Sequence, residues 1–111
     1  MLRKKHRLNK DKQFNAIWQR GLSAYGQTLG LKALPNNLPY SRFAFLINKK
    51  VSKRAVVRNL LKRRLREIIR LEWLNLVGYD IVVVVLPPAA NSNFDQLKTE
   101  VKNLFRRLKI S

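Results

Sequence analysis

The 111-residue chain predicts an α/β (α+β) two-layer sandwich, ordered helix-strand-strand-strand-helix-strand-helix. Three segments lead there. Residues 53–70, KRAVVRNLLKRRLREIIR, set Val56, Val57, Leu60, Leu61, Leu65, Ile68 and Ile69 among eight Lys and Arg, with Glu67 the one acid. Residues 79–86, YDIVVVVL, form a continuous apolar run, as expected of a central strand covered on both sides. Phe94, Leu97, Val101, Leu104, Phe105 and Leu108 recur at helical spacing near the C-terminus.

The other elements follow from local chemistry. Residues 1–8 form a basic arm. Asn9 is a cap for a helix over 10–20, with Asp11 in its first turn and Gly21 at its end. Phe14, Ile17 and Trp18 share one face of that helix. Residues 28–34, TLGLKAL, and 41–48, SRFAFLIN, read as strands, with PNNLP as the turn between them. Residues 22–27, LSAYGQ, are ambiguous and can begin the first strand. Residues 49–52 lead into the basic helix, and Gly78 closes the region after it. Pro87 and Pro88 stop the last strand. Ser92 with Asp95 has the spacing of a capping box for the final helix. No internal repeat or flexible linker interrupts 1–111, which is read as a single domain.

Composition narrows the function. Twenty-four Lys and Arg stand against six Asp and Glu, a formal charge of +18. Like charge of that size opposes compaction unless a polyanion neutralises it in use. Cysteine is absent, which excludes disulfides, Cys-based zinc sites and thiol nucleophiles and suits a reducing cytoplasm. The N-terminus MLRKKHRLNK lacks the apolar core of a secretory signal. The run from Ile81 to Leu86 is far too short to cross a bilayer.

On a helix at about 100° per residue, Val57, Leu60, Leu61 and Ile68 fall on one side of residues 53–70. Asn59, Lys62, Arg63, Arg66 and Arg70 fall on the other, and Arg58 lies at the border. Arg64 sits among the apolar residues, so it is expected to snorkel outward on its methylene stem. A purely solvated face normally mixes signs, and this one does not. A membrane-surface helix needs apolar residues free to enter lipid, whereas these are needed by the core. Phosphate-backbone binding fits best, since Lys and Arg displace counterions and Arg engages phosphate oxygens bidentately.

The string KRAVVRNLLKRRLRE, built around Arg58-Asn59, Lys62-Arg63 and Arg66, closely resembles the signature helix of the bacterial ribonuclease P protein subunit family. LNKDKQFNAIWQRG is similar to that family's first helix through Leu8, Phe14, Ile17 and Gly21. FAFLINKKVSKRAV resembles its strand-into-helix passage, GYDIVVVV its last strand, and the C-terminal amphipathic segment its final helix. The resemblance covers nearly the whole chain. Two positions depart from it: Asn48 stands where the family often has Ser, and Leu60 where it often has Arg.

The resemblance implies an accessory subunit. A large RNA would hold the catalytic site and the Mg2+, together with the substrate, and would remove the 5′ leader of precursor tRNA by hydrolysing one phosphodiester. The protein would bind that catalytic RNA and grip the precursor tRNA 5′ leader in a cleft between the first helix and the sheet. It also implies a left-handed crossover through the signature helix. The RNA-binding residues carried over are Lys53, Arg54, Arg58, Asn59, Lys62, Arg63, Arg66 and Arg70, undivided between RNA subunit and leader. Phe14 and Trp18 match aromatic positions of the leader cleft. Spacing alone would put them in the core; the resemblance makes them stacking surfaces. Lys32 matches a position facing the same cleft where the family often has an aromatic, which substitutes a phosphate contact for a stack.

The residue inventory agrees with an accessory role. An autonomous ribonuclease needs a general acid and base, or carboxylates gathered around metal. Here the lone histidine is His6, and the acids are scattered at 11, 67, 72, 80, 95 and 100. No metal is assigned to the protein itself, nor any membrane or obligate protein partner. The competing reading is a structural RNA-binding protein such as a ribosomal protein. A DNA binder ranks third, because no groove-reading recognition helix is evident.

Overall fold

A computed structural model describes Arg7 and residues 11–110. The expected cap at Asn9, the Asp11 side chain, and the basic arm including His6 and Leu8, Arg7 apart, lie outside the described residues. Helix α1 spans Asp11–Arg20. It stops at Gly21, whose amide donates to the Ile17 carbonyl at 2.8 Å. A Cβ there would meet that same oxygen at 2.4 Å and the Ala33 carbonyl at 3.1 Å, so only glycine lets the chain turn this tightly into the sheet.

Strand β1 is Leu22–Tyr25, which settles the ambiguous LSAYGQ: four residues are strand and the remainder begin a turn. Strands β2 (Leu29–Pro35) and β3 (Arg42–Leu46) follow. Helix α2 runs Ala55–Glu72, two residues later at each end than the pattern suggested. Arg54 is its N-cap, with extended backbone, and the Arg54 amide donates to Ser52 Oγ at 3.2 Å. Strand β4 (Tyr79–Val85) leads into a 3₁₀ turn over Pro87–Asn91 and then helix α3, Phe94–Arg107. The cap of α3 is one residue later than expected. Asn93 Oδ1 accepts from the Gln96 amide at 2.8 Å, and Gln96 Oε1 accepts from the Asn93 amide at 2.9 Å. Ser92 is unavailable because its amide donates to Ala89 O at 3.0 Å and closes the 3₁₀ turn.

The sheet has the order β1-β2-β4-β3. β1 pairs antiparallel with β2, and β2 antiparallel with β4. β3 lies parallel to β4, so the connection between them crosses over through α2. β4 is therefore interior, as its continuous apolar sequence predicts. Its side chains divide. Ile81, Val83 and Val85 join the large core under α2 and α3, with Leu29, Leu31, Leu61, Leu65, Ile68, Leu97, Val101 and Phe105. Val82 turns to the opposite face, where Ile17 of α1 covers it and Ala44. The two-layer sandwich thus describes the main core, and α1 adds a partial cover on the second face.

Two expectations for α2 change. Leu60 is 39% exposed rather than buried. The buried stripe is Leu61, Leu65, Ile68 and Ile69, and Leu60 lies roughly 120° from its centre at 100° per residue. Arg64 does not snorkel into water: its Nη1 donates to the Ser92 carbonyl at 3.2 Å and ties α2 to the start of α3. At the far end of the α1 face, the buried Asp80 carboxylate accepts from Arg42 Nε and Nη2 at 2.7 and 2.6 Å and from Asn36 Nδ2 at 2.8 Å. This network joins the ends of β2, β3 and β4 and keeps the buried charge paired.

Candidate functional site

Register and alternation decide which side chains meet on the α1 face. Ala24, Leu29, Leu31, Phe43, Ile81 and Val83 point into the large core. Their strand neighbours Tyr25, Gly30, Lys32, Ala44 and Val82 therefore point to the other side. Helix α1 lies across that side and seats Ile17, fully buried, on Ala44 and Val82.

Phe14 and Trp18 flank this contact differently. Phe14 is half-buried against the small cluster. It also lines a cleft of about 170 Å³ with Arg7, Phe43, Ala44, Phe45, Lys62 and Arg66. This cleft lies between α1, the β3 edge and α2. Arg7 is placed there by a parallel bridge to Phe43. Trp18 is 48% exposed, and Lys32 Nζ stands 5.0 Å from its ring centroid, a cation–π contact. Of the three residues on this helix face, only Ile17 is core.

The cations of α2 separate by flank. Lys62 and Arg66 turn toward the cleft and Phe14. Asn59 and Arg63 face outward and are exposed, as are Lys53 and Arg54 at the helix start. Arg58 is committed locally, its Nη1 donating to Ser52 O at 2.8 Å. Arg70 is committed to Glu67 through Nε and Nη2. That hydrogen bond holds the Glu67 carboxyl below its ordinary range, and the Arg70 guanidinium is correspondingly raised. Among the described residues, no acid pairs with Lys62, Arg63 or Arg66.

Three further acids are engaged elsewhere. Asp80 holds Arg42, Glu72 lies 3.3 and 3.4 Å from Lys98 and Lys102, and Glu100 accepts from the amides of Gln27 and Thr28 at 2.8 and 3.1 Å. No group of three or more His, Cys, Asp or Glu able to hold a metal ion occurs among the described residues. None of the described helices is long and apolar enough to cross a membrane.

Sequence reasoning named Phe14, Trp18, Lys32, Lys62 and Arg66; the fold brings Phe14, Lys62 and Arg66 into one cleft and sets Lys32 against Trp18. It missed Arg7 as a cleft residue, Phe45, and Tyr25, which is 46% exposed on the same face as Lys32. The signal for Tyr25 was alternation in LSAY, with Ala24 inward and its neighbours outward. It could be read only once the segment was known to be a strand.

Comparison with known proteins agrees with this architecture. The ribonuclease P protein of Thermotoga maritima superposes with a TM-score of 0.81 at 28% identity, covering 91% of this chain and 96% of that one. That of Staphylococcus aureus gives a TM-score of 0.86 at 24% identity over 95% and 96% of the two chains, a likeness of fold. The ribonuclease P protein component of a Cyanothece species is 36% identical over 128 aligned positions, spanning 99% of this chain and 97% of the relative. The family model for ribonuclease P matches residues 2–109, and the chain belongs to the ribonuclease P protein family.

Proposed function

We propose that the chain is the RNA-binding subunit that lets the ribonuclease P ribonucleoprotein remove the 5′ leader of precursor tRNA and generate the mature 5′ end. The outward face of α2, with Lys53, Arg54, Asn59 and Arg63, anchors the catalytic RNA. The α1 face, with Phe14, Trp18 and Lys32, and the adjoining cleft at the β3 edge, where Lys62 and Arg66 of α2 meet Phe14, grip the single-stranded leader. One observation carries this reading: Phe14 shares a cleft with Arg7, Lys62 and Arg66. An aromatic ring beside cations that pair with no acid among the described residues is what an unpaired strand requires, its bases stacking and its phosphates neutralised. Arg58 and Arg70 act indirectly, by fixing the start and end of α2.

The chain's contribution to catalysis is positional. It holds the leader so that the scissile phosphodiester is presented to the RNA, converting part of the binding energy into orientation. Magnesium belongs to the RNA subunit and substrate and supplies Lewis-acid stabilisation there. The single domain works in the cytoplasm, with no membrane and no obligate protein partner.

Recovering the protein from its own cells and sequencing the RNA that copurifies tests this directly. A several-hundred-nucleotide catalytic RNA is the expected result; ribosomal RNA would point to a structural role in the ribosome. The protein incubated alone with precursor tRNA and magnesium should leave it intact. Affinity for the catalytic RNA should fall with salt, at about −0.7 to −0.9 in log–log slope per phosphate neutralised. Arg63→Ala with Arg66→Ala should lower both affinity and slope; no change in either would exclude the α2 face as the contact.

A further inference from the structure

The α1 face beside Lys32 carries a further ring. Tyr25 of β1 pairs in register with Gly30 of β2. A Cβ on Gly30 would lie 2.3 Å from Tyr25 Cε1 and 2.4 Å from Cδ1. The tyrosine ring therefore crosses from its own strand onto the next, into space that only glycine leaves open. Lys32 lies two residues along β2 on the same face, about 7 Å away at strand rise, and its ammonium reaches back to Trp18. Trp18, Lys32 and Tyr25 form a strip of ring, cation and ring from α1 to the β1 edge.

We infer that Tyr25, seated across Gly30, is a stacking position for an unpaired leader base. The inference rests on the leader-cleft reading and extends it to the edge of the sheet. Three features support a binding role. Nearly half of Tyr25 remains exposed, as does Trp18, so the ring has a free face. Its backbone is fixed: Arg107 Nη1 donates to the Tyr25 carbonyl at 2.8 Å, and the following turn hangs on Glu100. A stacking platform needs that rigidity, because an ordered ring loses little entropy on binding. The row then continues across the floor, Gly30 to Val84 to Leu46. Leu46 is 40% exposed, so the row ends in open apolar surface on β3, two strands beyond Gly30.

The alternative role for such a ring is to shield the glycine it covers, a known device for stabilising a strand pair. The two roles separate by substitution. Tyr25→Leu keeps an apolar cover but removes the π face, and Tyr25→Phe keeps the ring. The holoenzyme reconstituted with each variant is titrated with precursor tRNAs carrying progressively shortened leaders and with mature tRNA. Tyr25→Leu should bind a long-leader precursor about five- to twentyfold more weakly, the lower part of the stacking range. Mature tRNA should bind as to wild type, and Tyr25→Phe should match wild type throughout. Long-leader affinity unchanged in Tyr25→Leu overturns the inference, as does an equal loss on mature tRNA. Trp18→Ala measured alongside identifies what failed. If it loses leader affinity while Tyr25→Leu does not, the cleft stands without Tyr25; if neither does, the cleft reading falls too.

Discussion

Among the described residues, one face of the sheet closes twenty buried residues into a single core beneath α2 and α3; the other closes three, Ile17, Ala44 and Val82, beneath α1. Both faces belong to the same strands, and β4 supplies alternate valines to each. The difference lies in what covers them. On the first face two long helices pack tightly enough for Trp73 to stack on Phe105 with centroids 4.0 Å apart. On the second, a ten-residue helix spans only the middle of the sheet, leaving Trp18, Tyr25 and Leu46 in water. Folding free energy comes mostly from the first face, where apolar area is removed from water. The second can keep rings and cations exposed because the fold does not depend on them. A cationic, partly apolar surface is costly to a lone domain and useful to one that meets a polyanion.

Substitutions put this contrast to the test. The largest effect is expected from Leu61→Asp in the large core, where Leu61 is 2% exposed. An unpaired carboxylate there costs several kcal/mol, and cooperative melting should disappear from the circular dichroism trace. A folded variant would mean that α2 turns a different face to the sheet. Val57→Asp should be milder, because Val57 is only partly buried.

Next is Arg42→Ala. It strands Asp80, which is 5% exposed, and should cost about 3 kcal/mol in denaturant unfolding, as breaking buried ion pairs does. Asp80→Asn with Arg42 retained should cost less, since the guanidinium left without its carboxylate is 20% exposed against 7% for the carboxylate. Equal losses would show that shape rather than charge holds this end of the α1 face.

Trp18→Ala should act mainly on binding. At 48% exposure its loss should change stability by about 1 kcal/mol or less, while leader affinity falls by about 1–3 kcal/mol. Thermal melting and affinities for long-leader precursor and mature tRNA, measured on the same variant, test the contrast between the faces. A large melting loss without a leader-specific defect would assign the ring to the core.

The smallest effect concerns Glu67 and Arg70. The hydrogen bond from Arg70 lowers the Glu67 pKa in the folded state. A depressed carboxyl contributes its stability above the unfolded-state pKa and loses it as pH falls through the folded value. The stability difference between wild type and Glu67→Gln should therefore be small and constant near neutrality and vanish below the ordinary carboxylate range. Thermal melts of both proteins between pH 7 and strongly acid pH read this difference; a gap persisting in acid would mean that the pair acts through packing.

Element order, the amphipathic character of α2, the interior position of β4 and the excess of cations were all legible in the chain. Each is written in local periodicity or composition: a helix repeats near 3.6 residues and a strand near 2. The signature around Arg58-Asn59 and Lys62-Arg63 named the family because contiguous residues carry it. Boundaries were legible to within about two residues, as the shift of α2 from 53–70 to Ala55–Glu72 illustrates. Only the tertiary structure decided which residues far apart in sequence come together. Arg42 finds Asp80, Arg64 finds the Ser92 carbonyl, and Glu100 finds the turn at Gln27 and Thr28. Leu60 fell on the exposed side because the sheet fixed where the centre of the buried stripe lies, and a helical wheel has no origin until something packs against it. The cleft of Arg7, Phe14, Lys62 and Arg66, and the ring of Tyr25 over Gly30, depend on the strand order β1-β2-β4-β3. That order follows from a parallel crossover closed by burial over the whole chain, a collective choice that no short stretch of residues encodes.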